Sequence, residues 1–177
     1  FQIAETGEQC GEKPEHMTHL RGNLLVPKTH PRIAFRGKLD VLEGQIICLQ
    51  QLAHEEGRDP LVELLEQLLS LVRRILGAEV RDAALPPFSL WGMDADAVRR
   101  ASHRVKDSVG IDHPVPDWRM GKLCAGLNLL RAQVREAELS AYAAFANAGG
   151  HEDLLLAMNR LSSAVYLLFC KEVKRHG

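Results

Sequence analysis

Aromatic side chains are scarce in these 177 residues, at 5%. Neither sign of charge predominates: 22 Lys and Arg face 23 Asp and Glu, for a formal net charge of −1. That balance removes any bulk electrostatic case for nucleic acid or an anionic membrane as a partner. No apolar run approaches the length of a membrane span, so none is expected. Cysteine is sparse as well. Cys10, Cys48, Cys124 and Cys170 stand far apart with no CxxC pair. Three of them lie in apolar helical stretches, where free cysteine behaves as a small hydrophobe. The expected setting is reducing and cytoplasmic. A signal-peptide pattern is missing, and the chain opens on Phe1 rather than Met. The expectation is a fragment whose true start lies upstream.

Several chemistry-bearing motifs are also missing. There is no GxxxxGK[ST] phosphate loop, no GxGxxG and no HExxH. No Glu-x-x-His pair occurs, which argues against a ferritin-like di-iron bundle.

What is present is helical periodicity. A helix is predicted from Pro31, a residue favoured at the first helical position. Its apolar seam is Phe35, Leu39, Leu42, Ile46, Leu49 and Ala53, and it stops at Gly57. Asp59-Pro60 starts a second helix with the seam Leu61, Leu65, Leu68, Val72 and Ile75, ending near Gly77. Residues 78–92 read as a connecting loop, and a shorter helix follows over about 94–107. Pro114 and Pro116 interrupt residues 110–117. A long helix is predicted over 118–147 with the seam Leu123, Leu127, Leu130, Val134, Ala137 and Ala141. Gly149-Gly150 breaks it. The last helix covers 152–175 with the seam Leu154, Met158, Leu161, Val165 and Leu168. Residues 1–30 read as polar and irregular, and no alternating strand is evident. The expected architecture is all-α, a five-helix bundle over residues 31–177 preceded by a loop region over 1–30.

One helix carries more than a core seam. Asn128, Arg131, Arg135 and Glu138 form a polar stripe beside the apolar face of the 118–147 helix. Two guanidinium groups one turn apart repel unless an anion lies between them. A fold does not require that pair; a phosphate does. Asp40 lies beside the first seam between Gly37 and Gly44. It reads either as a solvated flank residue of a tight packing or as the partner of an arginine such as Arg131. Asn159-Arg160 interrupts the apolar last helix, either as a surface turn or as an addition to the arginine stripe. Lys28 and Arg32 flank a helix start, where free N–H groups favour anions. His16 and His19 near Cys10 make a metal site conceivable, although such a trio more often has no such role.

These residues resemble a family. Thr18-His19-Leu20, then Val26-Pro27-Lys28-Thr29-His30-Pro31-Arg32 running to Gly37-Lys38-Leu39-Asp40, looks like the start of ATP:cob(I)alamin adenosyltransferases of the ethanolamine-utilisation type. Leu129-Leu130-Arg131-Ala132-Gln133-Val134-Arg135-Glu136-Ala137-Glu138 resembles the family's arginine helix. Met158-Asn159-Arg160-Leu161-Ser162-Ser163 resembles its final-helix signature, and His113-Pro114-Val115-Pro116-Asp117 is similar to the ethanolamine type. The match runs from about residue 12 to the end.

The resemblance implies a homotrimer with sites between subunits. It also implies transfer of the 5′-deoxyadenosyl group from ATP to the cobalt of reduced cobalamin, with Mg²⁺ accompanying ATP. The product would serve ethanolamine ammonia-lyase in the cytoplasm or an associated microcompartment. Arg131 and Arg135 would bind phosphate or fix the site, with Asp40 paired to Arg131 across a helix or subunit boundary. Thr18, Lys28 and Arg32 would belong to the ATP loop, and Asn128 and Asn159 to the nucleotide site. The segment His113 to Pro116, with Val115, would floor the corrinoid, with Phe88 or Trp91 as alternatives. Two features depart from the family. Thr18-His19-Leu20-Arg21-Gly22-Asn23 replaces the glycine-rich loop of the propanediol type, and only Cys10 remains of the cysteine-rich metal motif. The rival readings are a non-catalytic helical scaffold and a corrinoid- or nucleotide-binding protein without transfer activity.

Overall fold

The computed structural model describes residues 1–146 and 149–177. Proline opens two of its long helices. Pro31 begins α1 (Pro31–Glu55), where the His30 ring accepts the Arg32 amide at 3.1 Å and caps the first turn. Asp59-Pro60 begins α2 (Asp59–Arg81). Proline suits this position because the first turn has no use for its missing N–H.

α2 runs four residues past Gly77, where the sequence suggested its end. A helical glycine costs only about 1 kcal/mol, and Ala78 and Glu79 are buried beyond it. Asp82, at φ 54°, closes the helix in the left-handed conformation.

The predicted 94–107 helix is two pieces, α3 (Ala95–His103) and α4 (Val105–Ser108), parted at Arg104. Asp94 caps α3 by accepting the Ala97 amide at 2.8 Å. The long helix begins with a 3-10 turn at Trp118–Met120. Gly121, at φ 89°, then admits α5 (Lys122–Phe145). Its predicted end at residue 147 lies outside the described residues. α6 spans Glu152–His176. Every residue of the four long-helix seams is buried. Five of the described helices have nine residues or more, in line with the expected five-helix bundle.

α1 packs on α2 and on α5, and α5 packs on α6, which also carries α3. Neighbouring long helices run antiparallel. Arg36 meets Glu79 at one end of α1–α2, while Gln50 meets the Val62 carbonyl further along. At Gly126 a Cβ would fall 2.5 Å from Leu49 Cδ2, so glycine permits the close approach of α1 and α5.

Two expectations need correction. Residues 1–30 are not simply irregular. They form a three-stranded sheet in the order β1-β3-β2 from β1 (Gln2–Ile3), β2 (Met17–Arg21) and β3 (Leu24–Pro27). β2 and β3 are antiparallel and β1 is parallel to β3, with Leu25 and Val26 buried underneath. The strands are too short for alternation to register, and a bulge between His19 and Arg21 breaks the period. A second pair, β4 (Ser89–Leu90) and β5 (Met93–Asp94), closes the connection between α2 and α3. The other correction concerns hydropathy. α6 is long and apolar enough to cross a membrane, with mean hydropathy 1.3, yet 61% of that window is buried inside the bundle. Its apolarity is that of a central core helix.

Candidate active site

The polar stripe of α5 follows from its core seam. Leu130, Val134 and Ala137 are buried; Arg131, Arg135 and Glu138 each come one position later, about 100° round the helix. They therefore share one flank, which faces α6. That helix repeats the arrangement. Met158, Leu161 and Val165 point inward, and Asn159, Ser162 and Tyr166 come next to them. Ser102 and His103 of α3 and His113 of the following loop complete a cleft of about 530 Å³.

Within the cleft the cations differ. Arg131 is held by its own helix: Nε and Nη2 both donate to Asn128 Oδ1, at 3.2 and 3.1 Å. Arg135 is exposed and makes no hydrogen bond or ion pair among the described residues. Glu138 is 7% exposed and its Oε2 has no hydrogen-bond partner. A buried carboxylate oxygen without a donor is costly, so Glu138 favours a donor or cation in the cleft, whereas exposed Arg135 is free to meet an anion there. The sequence stripe contained Glu138, but nothing in its spacing marked the oxygen as unpaired.

Asn159 and Arg160 separate, as neighbours 100° apart on a helix must. Asn159 lines the cleft. Arg160 is buried; its Nε donates to the Ala95 carbonyl at 3.0 Å and its Nη1 to Asn159 Oδ1 at 2.6 Å. Arg160 thus joins α6 to the start of α3 and aims Asn159.

Tyr166 and His113 also line the cleft. Their rings stack 5.6 Å apart and the His113 Nδ1 meets the Tyr166 hydroxyl. Burial first, and then the Cys170 thiol, push the Tyr166 phenol up to about 12, so it stays protonated near neutrality. Beyond His113 the chain displays Val115 at 82% and Trp118 at 83% exposure. Neither side chain lines the cleft.

The other expected residues lie elsewhere. Asp40 is exposed on the outer face of α1, between exposed Gly37 and Gly44, and does not meet Arg131 of its own chain. Thr18 sits on β2 opposite Val26. Lys28 reaches Glu15 at 3.7 Å. Arg32 is turned onto α2, where Nε meets Glu79 Oε1 at 2.6 Å, and it is not among the cleft residues. Trp91 is a structural anchor, donating from Nε1 to the Leu64 carbonyl at 3.1 Å. Phe88 lines a separate, more apolar cleft with Leu85, Pro86 and Pro87. Cys10 is a free thiol. Among the described residues no three His, Cys, Asp or Glu side chains are grouped to hold a metal ion.

The sequence model for cobalamin adenosyltransferases matches residues 9–172. The corrinoid adenosyltransferase EutT of Salmonella typhimurium is 35% identical over 168 residues, 93% of this chain and 61% of that protein. The protein of the same name from Escherichia coli K12 is 33% identical over 171 residues, 95% of this chain and 62% of that protein. The chain therefore spans about six tenths of the length of the curated relatives it matches. No solved structure matches it. A match over nearly the whole chain, on a helical bundle whose arginine stripe opens into a cleft, shows that this chain belongs to the cobalamin adenosyltransferase family.

Proposed function

We propose that this protein transfers the 5′-deoxyadenosyl group of ATP to the cobalt of reduced cobalamin. Cobalt(I) supplies the electron pair, a bond forms from cobalt to C5′, the C5′–oxygen bond breaks and triphosphate leaves. The nucleophile belongs to the substrate, so the protein needs no base to make one. Its tasks are to hold the nucleotide, aim C5′ and exclude water.

The observation that carries this reading is Arg135. It is an exposed cation with no ion pair among the described residues, one turn from Arg131 in a cleft of about 530 Å³. In the proposal Arg135 and Arg131 take the phosphates, with Asn128 holding Arg131 in direction. Asn159 donates its amide to the nucleotide, and Glu138 accepts a hydroxyl or meets the cation that travels with ATP. One carboxylate suits Mg²⁺ that keeps most of its phosphate and water ligands. Val115, in the segment His113 to Pro116, supplies apolar surface to the corrinoid.

Asp40, Thr18 and Lys28 do not reach this cleft within one chain, and a second copy accounts for them. Gly37, Asp40, Val41 and Gly44 form an exposed, largely apolar or small face on α1. Leu129, Ala132, Leu139 and Ala143, with Glu136 among them, form another on the adjoining side of α5. Such faces favour burial against another molecule. In a homotrimer Asp40 of one copy pairs with Arg131 of the next, and the loop with Thr18 and Lys28 covers the neighbour's nucleotide. Arg32 stays inside, bound to Glu79 and Asp82 of its own chain. The ethanolamine-type resemblance supports a cytoplasmic supply of adenosylcobalamin to ethanolamine ammonia-lyase, with or without a surrounding microcompartment.

The test follows the absorbance of cob(I)alamin with Mg-ATP and full-length protein. Formation of a light-sensitive cobalt–carbon product, lost in Arg135→Ala, supports the assignment. Tight ATP binding without product favours a nucleotide-binding protein. No ATP-dependent thermal shift and no product would leave only the scaffold reading.

A further inference from the structure

A fully buried carboxylate sits outside the cleft, where the sheet, α1 and α2 meet. Glu79, in the last turn of α2, is 0% exposed. Arg32 and Arg36, one turn apart on α1, grip it from both sides. Arg32 Nε meets Oε1 at 2.6 Å and Arg36 Nε meets Oε2 at 2.5 Å. Arg32 also donates to the Glu79 carbonyl at 2.7 Å and to Asp82 at 3.3 Å. Arg36 reaches the other way. Its Nη1 donates to the His19 carbonyl at 3.2 Å and its Nη2 to the Leu20 carbonyl at 2.7 Å. From the strand side Arg21 approaches Asp82 at 3.4 Å.

A buried ion triad of this kind adds little net stability compared with apolar side chains of the same shape. What it adds is direction, because a guanidinium fork fixes the angle of every acceptor it binds. Here the acceptors are backbone carbonyls of β2, the strand that carries Thr18. Buried Met17, Leu25 and Val26 seat the short β2–β3 hairpin on the bundle, and Arg36 is the side chain that ties the β2 carbonyls to α1 and α2.

We infer that Glu79, acting through Arg36, is a positioning residue that sets where the β2–β3 hairpin stands and so where it delivers Thr18 to the nucleotide. The inference rests on the proposed adenosyl transfer for its nucleotide half, and on the geometry alone for its anchoring half. Glu79 and Arg36 touch no substrate in it.

The experiment uses full-length protein and the variants Arg36→Lys and Glu79→Gln. Lysine keeps the charge facing Glu79 but lacks the fork that also spans two carbonyls. In Arg36→Lys, amide hydrogen exchange across residues 17–27 should quicken about tenfold while α5 and α6 keep their wild-type rates. The KM for ATP should rise about tenfold with little change in the KM for cobalamin, the scale of one lost charge-assisted bond. Glu79→Gln should give the same pattern with a larger fall in melting temperature. If Arg36→Lys does not fold, Glu79→Gln carries the test alone. Wild-type exchange in the hairpin of both variants, or equal losses for both substrates, overturns the inference. A wild-type protein without an ATP-dependent thermal shift sinks the proposed function and the nucleotide half together, while hairpin exchange still decides the anchor.

Discussion

Arg160 donates to Asn159 Oδ1 at 2.6 Å. A guanidinium has donors only, so the atom facing it must be the amide oxygen. The NH₂ of Asn159 is then the group left for the cleft. Asn159→Asp offers Arg160 a carboxylate but removes that donor and adds a negative charge. Thermal stability should be unchanged or higher, and ATP affinity should fall at least about tenfold. Calorimetric titration with ATP, beside a melting curve, checks both halves.

Arg135 is exposed and makes no ion pair among the described residues, so replacing it should cost the fold no more than about 0.5 kcal/mol. The thermal gain from saturating ATP follows the free ligand concentration over Kd. Arg135→Ala should abolish most of that gain with an unaltered melting temperature in the absence of ATP. A thermal shift assay across ATP concentrations reads this directly.

Arg58 and Glu172 form a bidentate pair, with Nη1–Oε2 at 2.6 Å and Nη2–Oε1 at 2.5 Å, between the start of α2 and the end of α6. The hydrogen bond to Glu172 is the main reason that the Arg58 pKa is raised. Glu172→Ala leaves a largely buried guanidinium without a counter-charge and should cost about 3 kcal/mol. Urea unfolding should show it, with no change in the relative KM values of the two substrates.

Burial raises the Cys124 thiol from 9.0 to about 11 and the Tyr166 phenol from 10.0 to about 12. Both groups hold their protons more tightly when folded. Their contribution to stability is therefore complete below pH 9.0 and declines as pH rises from 9.0 through 12. A melting-temperature profile over that range should slope downward.

The same environment governs alkylation, which needs thiolate. Cys48 is exposed, whereas Cys124 and Cys170 are buried and both pushed up by burial. Iodoacetamide near pH 8 should reach the two buried thiols only after denaturation, and should label Cys48 quickly only in separated subunits, because it continues the Gly37–Gly44 face of α1. Mass spectrometry of the labelled peptides decides.

The helices were legible because their seams repeat at steps of four and three over about 15 to 19 residues, and because Pro31 and Pro60 mark two of their starts. The sheet was not, since its strands are short and bulged. Gly22-Asn23 between Leu20 and Leu24 was a hairpin signal that could have been used. In the cleft, Arg131, Arg135 and Asn159 were legible from spacing and resemblance. Ser102, His103 and Tyr166 were not, because only the tertiary packing of α3 on α6 brings them there. The engagement of Arg32 with Glu79 was equally hidden, spanning 47 residues of sequence.

α5 carries three lengthwise tracks with one rhythm: the buried seam, the arginine flank one position later and an outer track two positions later, mostly alanine and leucine but broken by Glu136. Their phases are locked. A single residue inserted near Leu127 would rotate everything downstream by about 100°. Core leucines would surface as Arg131, Arg135 and Glu138 swung off the cleft. This rod can drift in composition on its outer track, but its length is frozen, and natural insertions belong in the connection around Ala83 and Ala84.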